Sequence, residues 1–190
     1  MFIWCLFVMA LLVVSLNDFL FFRIENEVVL FLMVLYAISI ISGVSGGNFM
    51  FGISTAVVVF VITYILNRKN LIGGGDVKLL FPLLLFAESD IDGFIIGISV
   101  SGVLLSVIYI LCSKKIFIFR KKAIIWLWNF YQEQKESLLF KFVLPSLGRT
   151  NKNIALAGKY QVNVWKQEIP YGIALSCGGL WVVIENLLSR

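Results

Sequence analysis

Long apolar runs alternate with short polar breaks along this chain, at about residues 2–22, 27–45, 50–66, 77–87, 93–112 and 170–188. A bilayer core about 30 Å thick is crossed by roughly 20 helical residues, so the pattern predicts an all-α polytopic membrane protein with about six transmembrane helices. The run at 77–87 is too short to cross unaided. Either the preceding Gly73–Asp76 turn dips inward or the helix starts deeper, and a five-helix chain with a re-entrant segment is the alternative. The first run lacks a basic flank and a small-residue cleavage site, so Met1 to Leu16 is expected to be a retained helix. Repeats and low-complexity tracts are absent, and the expectation is one membrane-embedded domain over 1–190, with one long hydrophilic connection at about 113–169.

Composition agrees with the pattern: 60% of residues are apolar and the mean hydropathy is +0.96, far above soluble globular usage. The cations alternate between connections. Arg23 follows the first run, Arg68, Lys69 and Lys78 surround the third connection, and eleven Lys and Arg residues lie in the fifth; the second is uncharged and the fourth holds only Glu88, Asp90 and Asp92. Basic loops stay cytoplasmic, which places the N-terminus outside. That distribution accounts for a pI near 9.2 without nucleic-acid binding, since no binding module accompanies the basic residues. Within the fifth connection, Ile124, Leu127, Trp128 and Tyr131 recur at helical spacing behind a basic cluster, as in an interfacial helix lying on anionic headgroups.

The chain has no histidine, and Cys5, Cys112 and Cys177 lack metal-ligand spacing, so no metal or cofactor is expected and Ser-His or Cys-His catalysis is excluded. A serine-lysine pair would need a serine near Lys78 at a comparable helix mouth, and none stands there. Two carboxylates remain. Asp18 closes the first apolar run and Asp76 opens the fourth behind Gly73, Gly74 and Gly75, and both fall on the cytoplasmic side of the expected topology. An acid in that setting is costly unless it has a function. Two carboxylates held close together share one proton; the ionised one can then activate water while the protonated one hydrogen-bonds a scissile carbonyl. Three successive glycines allow positive φ and close approach of another chain to Asp76. Arg23 reads as a topology anchor, and Lys78 as a cation that either supports Asp76 or reaches the interface. Asn17 and Asn26 read as interfacial residues able to orient Asp18, and the fifth-run Gly97, Ser99, Ser101, Gly102 and Ser106 as close-packing residues.

Gly73-Gly74-Gly75-Asp76-Val77-Lys78 resembles the Gly-x-Gly-Asp signature of intramembrane aspartyl proteases, and with its lysine resembles that of the type IV prepilin peptidases. Asp18 followed by Arg23-Ile24-Glu25-Asn26 is similar to the family's first motif, with Glu25 where proline is usual. Ile169-Pro170-Tyr171-Gly172 resembles the segment opening the last helix, with Ile173 where a second proline often lies. The resemblance implies the Gly-x-Gly-Asp aspartyl protease fold in a bacterial inner membrane, with Asp18 and Asp76 catalytic and Gly73, Gly74, Gly75, Lys78, Arg23 and Asn26 binding substrate or supporting the pair. It implies cleavage, after a glycine at the cytoplasmic face, of the short basic leader of prepilins or pilin-like subunits. Lacking the cysteine-rich zinc-binding insertion of longer members, the chain resembles the short type serving Tad/Flp pili, for which N-methyltransferase activity is not expected. Alternatives are a related protease of the presenilin, signal-peptide-peptidase or preflagellin-peptidase kind, a small transporter, or a non-catalytic assembly scaffold. The Arg-Ile-x-Asn segment favours the prepilin peptidases, and a transporter site is expected near the midplane rather than at one face.

Overall fold

The structure, a computed structural model, describes residues 2–43, 49–88, 90–133 and 169–188. Among these, secondary structure is entirely helical: α1 (Phe2–Phe21), α2 (Asn26–Ile41), α3 (Phe49–Arg68), α4 (Gly74–Phe86), α5 (Ile91–Glu133) and α6 (Tyr171–Leu188). α1, α3, α5 and α6 are long and apolar enough to cross a bilayer, whereas α2 has 16 residues and α4 has 13. The chain is an all-α polytopic membrane protein.

Specific residues set where these helices stop. Phe22 ends α1 by taking φ 50° and donating its N–H to the Asp18 carbonyl at 2.9 Å, a left-handed stop uncommon outside glycine and asparagine. The chain then runs extended into α2. Glu25, in the place where resemblance leads one to expect proline, has φ −76° and ψ 139°, inside the range a pyrrolidine ring imposes, so the turn keeps its shape without the ring. α3 closes with Asn70 at φ 57°; Leu71 N–H reaches the Leu66 carbonyl and Asn70 N–H that of Asn67, the two bonds of a Schellman cap. Asn67 Nδ2 donates to the Ile72 carbonyl at 2.7 Å, holding the descent toward α4.

α1 and α4 together supply half of the main core, in which Phe7, Leu11, Leu32, Leu79, Leu83 and Val182 are fully buried. Phe7 and Phe86 lie 4.2 Å apart between centroids; Trp4 packs on both, edge-on to Phe7, and Tyr36 sits edge-on to Phe86. α6 packs on α1, α4 and α5, while α3 packs on α4. α5 and α6 come together through glycine: a Cβ on Gly97 would lie 3.2 Å from the Gly178 Cα, and one on Gly178 only 2.5 Å from Ile98 Cγ1. Ser101 Oγ reaches across to the Ala174 carbonyl at 3.2 Å. Away from Asp18 and Asp76, Tyr36 donates a hydrogen bond to the buried Glu88.

The main departure from the sequence expectation concerns the fifth helix. It does not stop near residue 112 but continues as one α-helix to Glu133, roughly 65 Å at 1.5 Å per residue. Nothing in the basic stretch from Lys114 to Lys122 breaks a helix, and polar composition ends a hydrophobic run without ending hydrogen bonding. Ala123, Ile124 and Leu127 are not laid solely on a lipid surface either, because they pack against Leu20 with Phe19 and Phe21. The Trp128 and Tyr131 side chains, and residues 44–48 and 134–168 of the connections, lie outside the described residues.

Candidate active site

Asp18 and Asp76 line one cavity of about 360 Å³, at the lower end of the range for ligand sites. α1 supplies Asp18 from its last turn, where the side chain is 6% exposed. α4 supplies Asp76 from its first turn: Gly73 is the N-cap and Asp76 the third helical residue, where amide dipoles favour a carboxylate. Phe22, Ile24, Ile169 and Tyr171 complete the walls with the three glycines.

Glycine makes room for both carboxylates. A Cβ on Gly73 would stand 2.8 Å from Asp76 Oδ2, and one on Gly172 would stand 2.7 Å from Asp18 Oδ2 and 2.9 Å from its Cγ. Gly75 meets Ile24 in the same way, at 3.3 Å, so the segment after α1 lies directly on the start of α4. These contacts correct one expectation. None of Gly73, Gly74 and Gly75 has positive φ; what Gly73 and Gly75 provide is close approach.

The remaining sequence candidates fall around this centre. Lys78 Nζ donates to Asn26 Oδ1 at 3.0 Å, so these two join the starts of α4 and α2 on the exposed surface. Asn17 is not interfacial: it is 1% exposed, and its Nδ2 donates to the Val13 carbonyl within α1. Arg23 is exposed, between the cavity-lining Phe22 and Ile24.

Sequence reasoning did not assign a site role to four contributors. Gly172 contacts Asp18 from α6; its motif, Ile169-Pro170-Tyr171-Gly172, reads in the sequence only as the opening of the last helix. Phe22 and Ile24 line the cavity as apolar residues inside a motif read for its polar ones. Arg120, on the extension of α5, places its guanidinium 4.3 Å from the Phe22 ring centroid, a cation–π contact concealed by ending the fifth helix near residue 112. Among the described residues no group of three or more His, Cys, Asp or Glu side chains is arranged to hold a metal ion.

Comparison with known proteins returns one family. The model of the type IV leader peptidase family matches residues 5–111, a span containing Asp18, Asp76 and the turns that carry them. No curated protein and no solved structure matches the chain.

Proposed function

Because the chain belongs to the type IV leader peptidase family, we propose that Asp18 and Asp76 form the catalytic pair of an aspartyl endopeptidase. The observation that carries the proposal is the shared cavity: two acids 58 positions apart in sequence line the same small space. With one proton between them, the ionised carboxylate takes a proton from water as it attacks the scissile carbonyl, while the protonated one donates a hydrogen bond to the carbonyl oxygen. The tetrahedral intermediate collapses when a carboxyl proton passes to the leaving amine. Neither metal nor covalent intermediate is required.

The substrates proposed are prepilins or pilin-like subunits of the Tad/Flp kind, cut after the glycine that ends a basic leader. The Lys and Arg distribution supports an N-out, multi-pass arrangement in a bacterial inner membrane with both aspartates cytoplasmic, where a leader that has not crossed the bilayer is accessible. Lys78 and Asn26 support the pair by tying α2 to α4; Gly73, Gly74 and Gly75 leave room for substrate backbone; Arg23 anchors the turn. Residues 1–190 act as one domain. The test is cleavage of a purified pilin precursor bearing a basic leader that ends in glycine, read by product mass. Wild type is expected to cut after the glycine with a bell-shaped pH dependence belonging to the pair. Asp18→Asn and Asp76→Asn are each expected to lose at least about 10²-fold in rate, the scale of general acid–base catalysis; activity surviving in either variant would refute the pair.

A further inference from the structure

A second cavity, larger and mostly apolar, opens beside the first. It measures about 750 Å³ and runs between α3 and α5 over a floor formed by α4 and α6. Gly73, Asp76 and Tyr171 line both cavities, so the groove leads directly to one of the two carboxylates. On α5 its wall is Ile98 and the series Ser99, Gly102, Val103, Ser106 and Val107, the later members lying three, four, seven and eight positions past Ser99 along one helical face.

This face is shaped for another helix. Gly102 and the two serines keep the wall low, which permits close backbone approach. The Ser99 and Ser106 hydroxyls are already bonded to the Ile95 and Gly102 carbonyls, each at 2.8 Å, so they ask nothing polar of an occupant. Gly97 and Ser101, by contrast, are used against α6. The five expected close-packing residues therefore divide between two surfaces: an internal one already filled, and one that faces the groove.

We propose that this groove is a docking site for an apolar helical segment of the protein substrate next to the scissile bond, held between α3 and α5 so that the bond is delivered to Asp76. The inference rests on the peptidase reading above. Continuity with the aspartate cavity selects a substrate segment over a structural lipid, because an occupant of the groove ends where the reaction takes place. Groove depth would then contribute to choosing which peptide bond reaches the carboxylates.

Cross-linking tests this directly. The exposed native thiols Cys5, Cys112 and Cys177 are first changed to alanine, and Asp18→Asn is introduced to prevent turnover. The probe is a precursor with a basic leader, a glycine and one apolar helix carrying a single cysteine, in vesicles of phosphatidylethanolamine and phosphatidylglycerol. Ser99→Cys, Val103→Cys and Ser106→Cys are expected to form disulfides with the probe several-fold more readily than Leu104→Cys and Ile108→Cys, which are exposed on α5 outside the groove. Equal labelling of the two sets, or none, would overturn the proposal and leave the groove to lipid. A second variant reads function: a Cβ at Gly102 meets only Ala174 Cβ, at 3.9 Å, so Gly102→Trp is expected to fold, fill the groove and raise KM for the probe far more than it lowers kcat. An unchanged KM in folded Gly102→Trp would also overturn it. Cleavage of the same probe by the unmodified protein separates the two readings. Cleavage without selective cross-linking sinks the groove alone, whereas no cleavage sinks the peptidase and the groove with it.

Discussion

Gly172 shows how a residue without a side chain can set the position of a carboxylate proposed to act in catalysis. Its α-hydrogen faces the Asp18 carboxylate where a methyl group would stand 2.7 Å from Oδ2 and 3.1 Å from Ile24 Cδ1. Gly172→Ala is thus expected to displace Asp18 rather than unfold the chain, because alanine favours a helix over glycine by about 1 kcal/mol. The expected outcome is a loss of about 10²-fold in cleavage rate, the scale associated with ångström-sized misplacement of a reacting group. Thermal unfolding in detergent should stay within a few degrees of wild type, and a large drop there would mark Gly172 as structural instead. Both acids were legible in the sequence because a carboxylate closing or opening an apolar run is conspicuous. Gly172 was legible only as the end of the Pro170-Tyr171-Gly172 resemblance; its contact with Asp18 spans 154 positions, and no local pattern encodes that.

At the scale of elements, the two junctions most open to measurement are one polar contact and one apolar one. The Lys78–Asn26 hydrogen bond lies on the exposed surface, so a double-mutant cycle with Lys78→Met and Asn26→Ala is expected to give a coupling of only about 0.5–1 kcal/mol. The α5–α6 seam is less forgiving: Gly178→Ala places a methyl 2.5 Å from Ile98 Cγ1 and 3.1 Å from the Phe94 carbonyl oxygen. Overpacking of this kind costs about 1–3 kcal/mol, and reversible unfolding in detergent should register it as a lowered midpoint. Hydropathy located all six helices, because their apolar content is what a bilayer demands. It misplaced the end of α5, because hydropathy reports solvent preference while helix continuity depends on backbone bonding, which Lys114 to Lys122 sustain. The opening of α4 before its apolar run was hidden for a related reason: Gly74 and Gly75 weaken helix propensity, yet Asp76 and the first-turn geometry place them inside the helix.

The whole molecule distributes its proposed reaction over distant parts of one chain. α1 and α4 bring the carboxylates, the 22–26 turn and residues 169–172 enclose them, and the extension of α5 clamps Phe22 from outside through Arg120. Removing residues 169–190 is expected to abolish cleavage even if the remaining helices insert, which site-directed labelling of the inserted fragment alongside an activity assay would establish. The family match ends at residue 111, well before α6, so neither the matched segment nor its motifs contain the whole cavity wall. Ribosomal synthesis gives that arrangement a temporal meaning. α6 is the last of the described helices to emerge, and until it arrives Asp18 lacks the Gly172 surface and the cavity lacks Ile169 and Tyr171. On the proposed mechanism, a nascent chain therefore carries both acids through the membrane-insertion machinery, among many other unfolded hydrophobic segments, before the cavity around them is complete.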